Sequence, residues 1–448
     1  MKTKSISGLR PLLLAFVLLT SVVILSACAA ATPRPSGEDA GAPAAGAAAA
    51  PQEGAETVLA PVPRKSNAGF PEADFEQWVA AFRARAIANG VSPATVARAF
   101  AVVELVPRIL ELDSRQPEFS RRIWSYLDIL VTPARVRAGR DKLARYAGIA
   151  ARTQDNYGVP AAVIGAIWGI ESSYGENFGD YDTVDALATL AFDGRRRAWA
   201  EKQLYAIFKI IDRGLIEPQA LRGSWAGAMG HTQFIPTSYL AYAADGDGDD
   251  RVDIWGSIPD VMASTANYLA VHGWQPGSRW GVEVVLPPGF DYAQARLAVK
   301  HPSRYWAQQG VTRASGAALP AYAEAGVLAP AGARGPAFLV GPNFEVIMSY
   351  NHAVSYALAV GLLADRLAGR PGLRADWPRG LQPLSRDQVF ALQRLLDRGG
   401  FDVGTPDGII GPNTKAGIRA FQGAHGLTAD GFATVGLVQR LRRTLGRL

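Results

Sequence analysis

The chain has 448 residues, enough for two or three domains with cores of their own, and at 48% hydrophobic and 19% charged residues it is not a disordered chain. Its one cysteine excludes an intramolecular disulfide, and its five histidines show no zinc-ligand spacing. The formal net charge of +6 is carried by scattered arginines rather than one basic stripe, so no nucleic-acid partner is expected.

At the start, Lys2, Lys4 and Arg10 precede an apolar run from Pro11 to Leu25 that ends in Ser26-Ala27-Cys28. A basic start, an apolar stretch and small residues before a cut predict a signal peptide over 1–27. Roughly 15 apolar residues fall short of the ~20 that a membrane span needs. Leu25-Ser26-Ala27-Cys28 resembles a bacterial lipobox, which implies lipidation of Cys28, a membrane anchor, and a mature chain of net charge +3. Ala29 after the cysteine resembles lipoproteins sent to the outer membrane, in a Gram-negative cell. Residues 28–68, rich in Ala, Pro and Gly, read as a flexible tether reaching roughly 100 Å or more when extended.

Helical periodicity begins near Phe70. Phe75, Trp78, Val79 and Phe82 recur at three- and four-residue steps up to Asn89-Gly90, and Ser92-Pro93 starts the next helix. Further helices follow to about Trp274. Residues 281–286 and 337–340 read as strands, and a last helix is predicted from about Asn351 to Ala368. The fold class expected for 70–370 is therefore mainly α with a minor β element. A Pro/Gly/Arg-rich linker is expected over 371–383, followed by a compact unit over 384–448.

Within the helical body, Pro160 to Glu171 is apolar on every face, which predicts a buried helix. Glu171 stands at its end, where the sequence turns polar at Ser172-Ser173-Tyr174-Gly175. A carboxylate emerging from a buried helix into a cleft loses solvation, which disfavours its charged form and suits it to general acid catalysis. The residues alone leave a surface ion pair open as an alternative.

The segment Ile167-Trp168-Gly169-Ile170-Glu171-Ser172-Ser173-Tyr174-Gly175 resembles the catalytic motif of membrane-bound lytic murein transglycosylases of the B type. Three further blocks agree in order: Asp185-Ala186-Leu187-Ala188-Thr189-Leu190; Gly223-Ser224-Trp225-Ala226-Gly227-Ala228-Met229-Gly230 with Gln233-Phe234-Ile235-Pro236; and Tyr350-Asn351-His352 with Tyr356-Ala357. The resemblance covers about 70–370 and implies a lysozyme-like helical catalytic domain acting on peptidoglycan glycan strands, with Glu171 as the catalytic acid and base. It also implies that Ser224, Gln233, Tyr268, Tyr350 and Tyr356 line the sugar site; the residues alone leave core packing open for each of them, the tyrosines above all. No cofactor is required for such chemistry. A hydrolytic muramidase on the same core and a non-catalytic wall-binding lipoprotein are the rival readings.

Asp245-Gly246-Asp247-Gly248-Asp249-Asp250-Arg251-Val252-Asp253 sets carboxylates at EF-hand positions 1, 3, 5 and 9, with the Arg251 carbonyl at 7. Asp250 replaces the usual glycine, and Gly256 stands where a bidentate glutamate belongs. The B-type resemblance implies a slightly longer loop in which Asp260 supplies the last carboxylate. A structural calcium site and a metal-free acidic turn both remain open. The C-terminal unit resembles the type 1 peptidoglycan-binding domain, a small three-helix module, through Leu392-Gln393, Asp407-Gly408, Gly411-Pro412-Asn413-Thr414, Ala420-Phe421-Gln422, Gly426-Leu427 and Asp430-Gly431. Protein partners are not legible.

Overall fold

The computed structural model describes residues 72–114 and 122–445. The expected signal peptide, Cys28 and the tether lie outside the described residues. The helical body opens with α1 (Glu72–Ala88), α2 (Pro93–Ala99), α3 (Pro107–Ser114), α4 (Ile123–Leu130), α5 (Pro133–Arg145) and α6 (Ala147–Tyr157). It continues through α7 (Ala161–Ser172), α8 (Thr183–Asp193), α9 (Arg197–Asp212), α10 (Pro236–Tyr242) and α11 (Ile258–Val271). Prolines open several of these helices, where their missing N–H costs no hydrogen bond. Two short strands, β1 (Tyr181–Asp182) and β2 (Arg222–Gly223), pair antiparallel beside α8.

Beyond α11 the minor β element is larger than the two expected strands. β3 (Gly281–Val285), β4 (Thr312–Arg313), β5 (Gly326–Leu328) and β6 (Ala337–Val340) form an antiparallel sheet in the order β4-β3-β6-β5. Between β3 and β4 lies α12 (Ser303–Gln308), whose Trp306 is fully buried and belongs to the sheet's own core with Val282, Val327 and Leu339. The last helix expected from about Asn351 to Ala368 is α14 (Val354–Leu367), and a helix not expected from the sequence, α13 (Pro342–Tyr350), precedes it at an angle of 111°. Extended backbone at Asn351 and Ala353 makes the corner.

The α7 helix runs through the centre. Residues Val163 to Ser172 are all buried, packed by α5, α6, α11 and α14. Full burial of an Ile or Leu side chain contributes about 1.5–3 kcal/mol, so Ile164 and Ile167 alone fix this helix firmly. A Cβ on Gly169 would lie 2.5 Å from the Tyr174 ring, so only glycine lets that ring close over the helix.

The C-terminal unit contains α15 (Arg386–Arg398), α16 (Pro412–Ala424) and α17 (Val435–Leu445) around a separate small core of Leu392, Leu396, Ile418, Phe421 and Leu441. The stretch expected to be a linker is irregular but pinned. Trp377, only 9% exposed, lies against Trp124 and Phe338, and Glu283 accepts the N–H groups of Arg374 and Ala375 at 2.8 and 2.7 Å. Its composition read as a linker because these partners are far away in the sequence. The Asp430-Gly431 turn of the C-terminal unit meets the main body, where the Asp430 carboxylate accepts the Ala333 N–H at 3.1 Å.

Candidate active site

Glu171 lies on the last turn of α7, 5% exposed. The helix stops immediately after it because three successive residues take positive φ: Ser173 at 50°, Tyr174 at 62° and Gly175 at 90°. Two of these are not glycine, and such conformations cost of order 1–3 kcal/mol each unless their surroundings hold them. They are held. The Tyr174 hydroxyl donates to the Arg135 carbonyl at 3.1 Å, and its ring meets Trp168 edge-on at 5.5 Å. Ser172 Oγ donates to the His231 carbonyl at 2.9 Å and accepts the Gly175 N–H at 3.2 Å. Arg135 donates to Ser173 Oγ at 3.3 Å and to the terminal carbonyls of α4 at 2.9 Å.

The start of α14 supplies the group that meets Glu171. Tyr356, 1% exposed, donates its hydroxyl to Glu171 Oε1 at 2.5 Å. Burial, and next the Glu171 charge, raise the pKa of Tyr356 well above that of an ordinary phenol, so it acts as a donor only. The same two causes raise that of Tyr350, whose ring stacks on Tyr356 with centroids 6.4 Å apart. Among the described residues, Glu171 is the one carboxylate whose charge is felt at both hydroxyls.

Tyr350 and Tyr268 continue from Tyr356 through ring contacts, and all the other residues expected at the site bond their polar atoms to backbone groups. Tyr350 donates to the Thr232 carbonyl at 2.7 Å, and Tyr268 to the Ser349 carbonyl at 2.6 Å; burial pushes the Tyr268 pKa up to about 12. Gln233, at φ 51°, donates to the carbonyls of Phe178 and Gly230 at 3.1 and 3.0 Å. Ser224 Oγ accepts the N–H groups of Ala226 and Ala228 at 3.3 and 3.1 Å. The bonds of Tyr350 and Ser224, and that of Gln233 to Gly230, serve one segment. Residues 223–236 are all buried although, between β2 and α10, they form turns rather than regular structure, so their backbone groups need internal partners.

Sequence reasoning missed His231, which stands in that segment and is 8% exposed. The Trp168 indole donates to its Nδ1 at 2.8 Å, so the proton of the neutral ring is on Nε2. Its backbone N–H donates to the Ile254 carbonyl at 3.0 Å, and burial, opposed by a bond with the Trp255 backbone, lowers its pKa to about 4. A β-carbon on Gly175 would collide with its ring. His231 thus joins α7, three residues before Glu171, to the end of the acidic loop. The ring of Phe178 also meets it edge-on at 4.7 Å; residue spacing in the sequence does not reveal this role.

The block from Asp185 to Leu190 is a brace. Asp185 accepts the Glu104 N–H at 3.0 Å, and Thr189 Oγ1 accepts that of Val106 at 3.0 Å, tying α8 to the strand of chain before α3. Burial pushes the Asp185 pKa up to about 6.

In the acidic loop, carboxylate oxygens of Asp245, Asp247 and Asp260 lie within 4.8 Å of one another, and none of the three has an ion pair among the described residues. Asp260 is 1% exposed, and burial raises its pKa, so the trio fits a hard divalent cation that would neutralise it. Asp249 accepts the Arg251 N–H at 2.9 Å, and Asp253 accepts those of Trp255 and Gly256 at 2.8 and 2.9 Å. These three residues, Asp249, Arg251 and Asp253, stand outside the compact trio. Asp250, at φ 64°, adopts the left-handed backbone that glycine usually supplies there.

The transglycosylase SLT domain family matches residues 74–365, and the peptidoglycan binding domain family matches 385–441. The chain is 48% identical to SltB3 from Pseudomonas aeruginosa, whose structure holds NAG-NAM-pentapeptide; the match covers 82% of this chain and 99% of that one, with a TM-score of 0.77. The Escherichia coli lytic transglycosylase Slt35, in complex with calcium, is 29% identical over 66% of this chain and 93% of that one, with a TM-score of 0.56. Membrane-bound lytic murein transglycosylase B of Escherichia coli is 36% identical over 181 residues, 39% of this chain; the chain spans 50% of that relative's length.

An imidazole held neutral in the fold, at about 4 against an ordinary 6.5, contributes stability that is complete above pH 6.5 and lost as the pH falls toward 4. In His231→Gln the amide still accepts from Trp168 but does not titrate. Denaturant midpoints at pH 7 and pH 4.5 should therefore fall less in this variant than in the parent; equal losses contradict a neutral His231.

Proposed function

The chain belongs to the transglycosylase SLT family, and from that premise we propose that it is a lytic transglycosylase that cuts the MurNAc-GlcNAc β-1,4 bond of peptidoglycan and leaves 1,6-anhydro-MurNAc ends. The observation that carries this reading is the buried Glu171 carboxylate, met by the Tyr356 hydroxyl and, among the described residues, the one carboxylate whose charge is felt at both Tyr350 and Tyr356. Glycosidases that use a covalent intermediate or an activated water need two carboxylates at set separations. One suffices when the nucleophile is the substrate's own C6 hydroxyl. Protonated Glu171 gives its proton to the leaving glycosidic oxygen; the carboxylate then takes the proton of the C6 hydroxyl as that oxygen closes on the anomeric carbon. Intramolecular attack avoids the entropy of recruiting a second nucleophile. Ser224, Gln233, Tyr268 and Tyr350 serve this step by holding the walls around Glu171, and Tyr356 by steadying its charge.

The substrate is a peptide-bearing glycan strand, as the complex of the SltB3 relative with NAG-NAM-pentapeptide suggests. The C-terminal unit attaches the enzyme to the same wall, raising its local concentration there. Lipidation of Cys28 after export would hold it on the periplasmic face of the outer membrane. Asp245, Asp247 and Asp260 would hold a structural calcium ion, as the calcium complex of Slt35 suggests; the ion would offset the repulsion of three clustered carboxylates.

The product assay uses purified sacculi and the protein without residues 1–28. Released muropeptides should be one water lighter than reducing ones and absent with Glu171→Gln. Reducing ends indicate a muramidase, and bound but undigested sacculi a scaffold. For the loop, chelation should lower the melting temperature and added calcium restore it; an unchanged melting temperature in verified metal-free protein rejects the ion.

A further inference from the structure

Away from Glu171, at the other end of α14, lies a cleft of about 610 Å³ walled by α4, α14, β3, β4 and the pinned segment 370–379. Tyr356 and Asp365 mark the two ends of the helix, about 13 Å apart along its axis at 1.5 Å per residue. The floor is apolar: Trp280, Val282, Phe338 and Trp377 are buried beneath it. The rim is basic. Arg279, Arg313, Arg366, Arg370, Arg374 and Arg379 face only four carboxylates, Asp128, Glu283, Asp365 and Asp376.

Three of those carboxylates are already engaged. Asp365 pairs with Arg279 at 3.2 Å and Arg370 at 2.6 Å, Asp128 pairs with Arg379, and Glu283 binds the backbone N–H groups of Arg374 and Ala375. Arg366 donates only to the Arg370 carbonyl, at 2.9 Å. The guanidiniums of Arg313 and Arg374 meet no acceptor among the described residues, and Arg313 is half-buried. The ion pairs and the Glu283 bonds hold the wall in place, while the free guanidiniums are available as planar, two-pronged carboxylate receptors. A cleft of this volume with an apolar floor and a few polar groups suits a ligand of small-peptide size.

We propose that this cleft binds the peptide stems of peptidoglycan, with Arg313 and Arg374 taking carboxylates and the apolar floor taking the methyl groups of alanine residues. The proposal rests on the reading that the chain acts on peptide-bearing strands. A five-residue stem extends roughly 16–18 Å, long enough to span from a sugar near Glu171 toward the cleft. A neutral glycan would gain little from unpaired guanidiniums, which is why the peptide is the favoured occupant.

The test measures binding of a fluorescently labelled stem pentapeptide, free of sugar, to the full chain. The parent should bind it saturably. Arg313→Glu/Arg374→Glu should weaken binding by about tenfold or more through charge reversal at a bidentate site, and Arg313→Lys/Arg374→Lys should retain part of it. Melting temperatures of both variants establish that they fold; Arg374→Glu alone, at an exposed position, serves if the double reversal does not. Absence of saturable binding to the parent, or equal binding by a folded charge-reversal variant, overturns the proposal. No bond is cut in this assay, so its failure leaves the transglycosylase reading intact. The muropeptide assay fails or succeeds independently of it.

Discussion

The hydrogen bond from Tyr356 to Glu171 is the constraint on which the rest of the site depends. It joins the last turn of α7 to the first turns of α14, in a place almost closed to solvent. A carboxylate so placed is costly to charge unless a donor meets it, and a phenol that cannot ionise is a donor that never competes for the proton. Everything around the pair maintains its geometry. Three residues of positive φ end α7 at the right point, and Tyr174 and Ser172 hold that strained turn by bonds to α5 and to the buried segment.

That segment, 223–236, explains why several polar side chains expected to line a sugar site bond to backbone groups instead. A buried chain without regular structure must find partners for its own backbone. Ser224 and Gln233 provide them from within, Tyr350 from α13, and Ile254, at the end of the acidic loop, through its carbonyl. Together these bonds hold the segment rigid. His231 extends the same logic, since its side chain touches α7 and its backbone the acidic loop, so the acidic trio and the helix that carries Glu171 share a neighbour.

Much of this was legible in the sequence. The apolar run before Glu171 foretold the buried helix, and the leucines of α15 with Ile418 and Phe421 of α16 foretold two helices of the C-terminal unit, because both depend on local periodicity; the third helix came from the resemblance to the peptidoglycan-binding domain. The start of α14 was legible to within three residues, but α13 before it was not, since its nine residues follow directly on the extended run of β6. Nor was the pinning of 371–383, because Trp377 finds its partners in α4 and β6, hundreds or dozens of residues away. Between a sugar-lining and a core-packed Tyr268 or Tyr350 the sequence could not decide: a tyrosine at a cleft and one bonded to a carbonyl look alike there.

The central claim is that Glu171 works because Tyr356 steadies it. The direct measurement is the pH dependence of kcat for Tyr356→Phe beside the parent, on peptidoglycan strands. Losing a hydrogen bond to a charged group costs about 1.5–3 kcal/mol, so kcat should fall by about tenfold or more while KM stays near the parent value. The alkaline limb of the profile, which reports loss of the catalytic proton, should move to higher pH. An unchanged kcat with an unchanged profile would contradict the account.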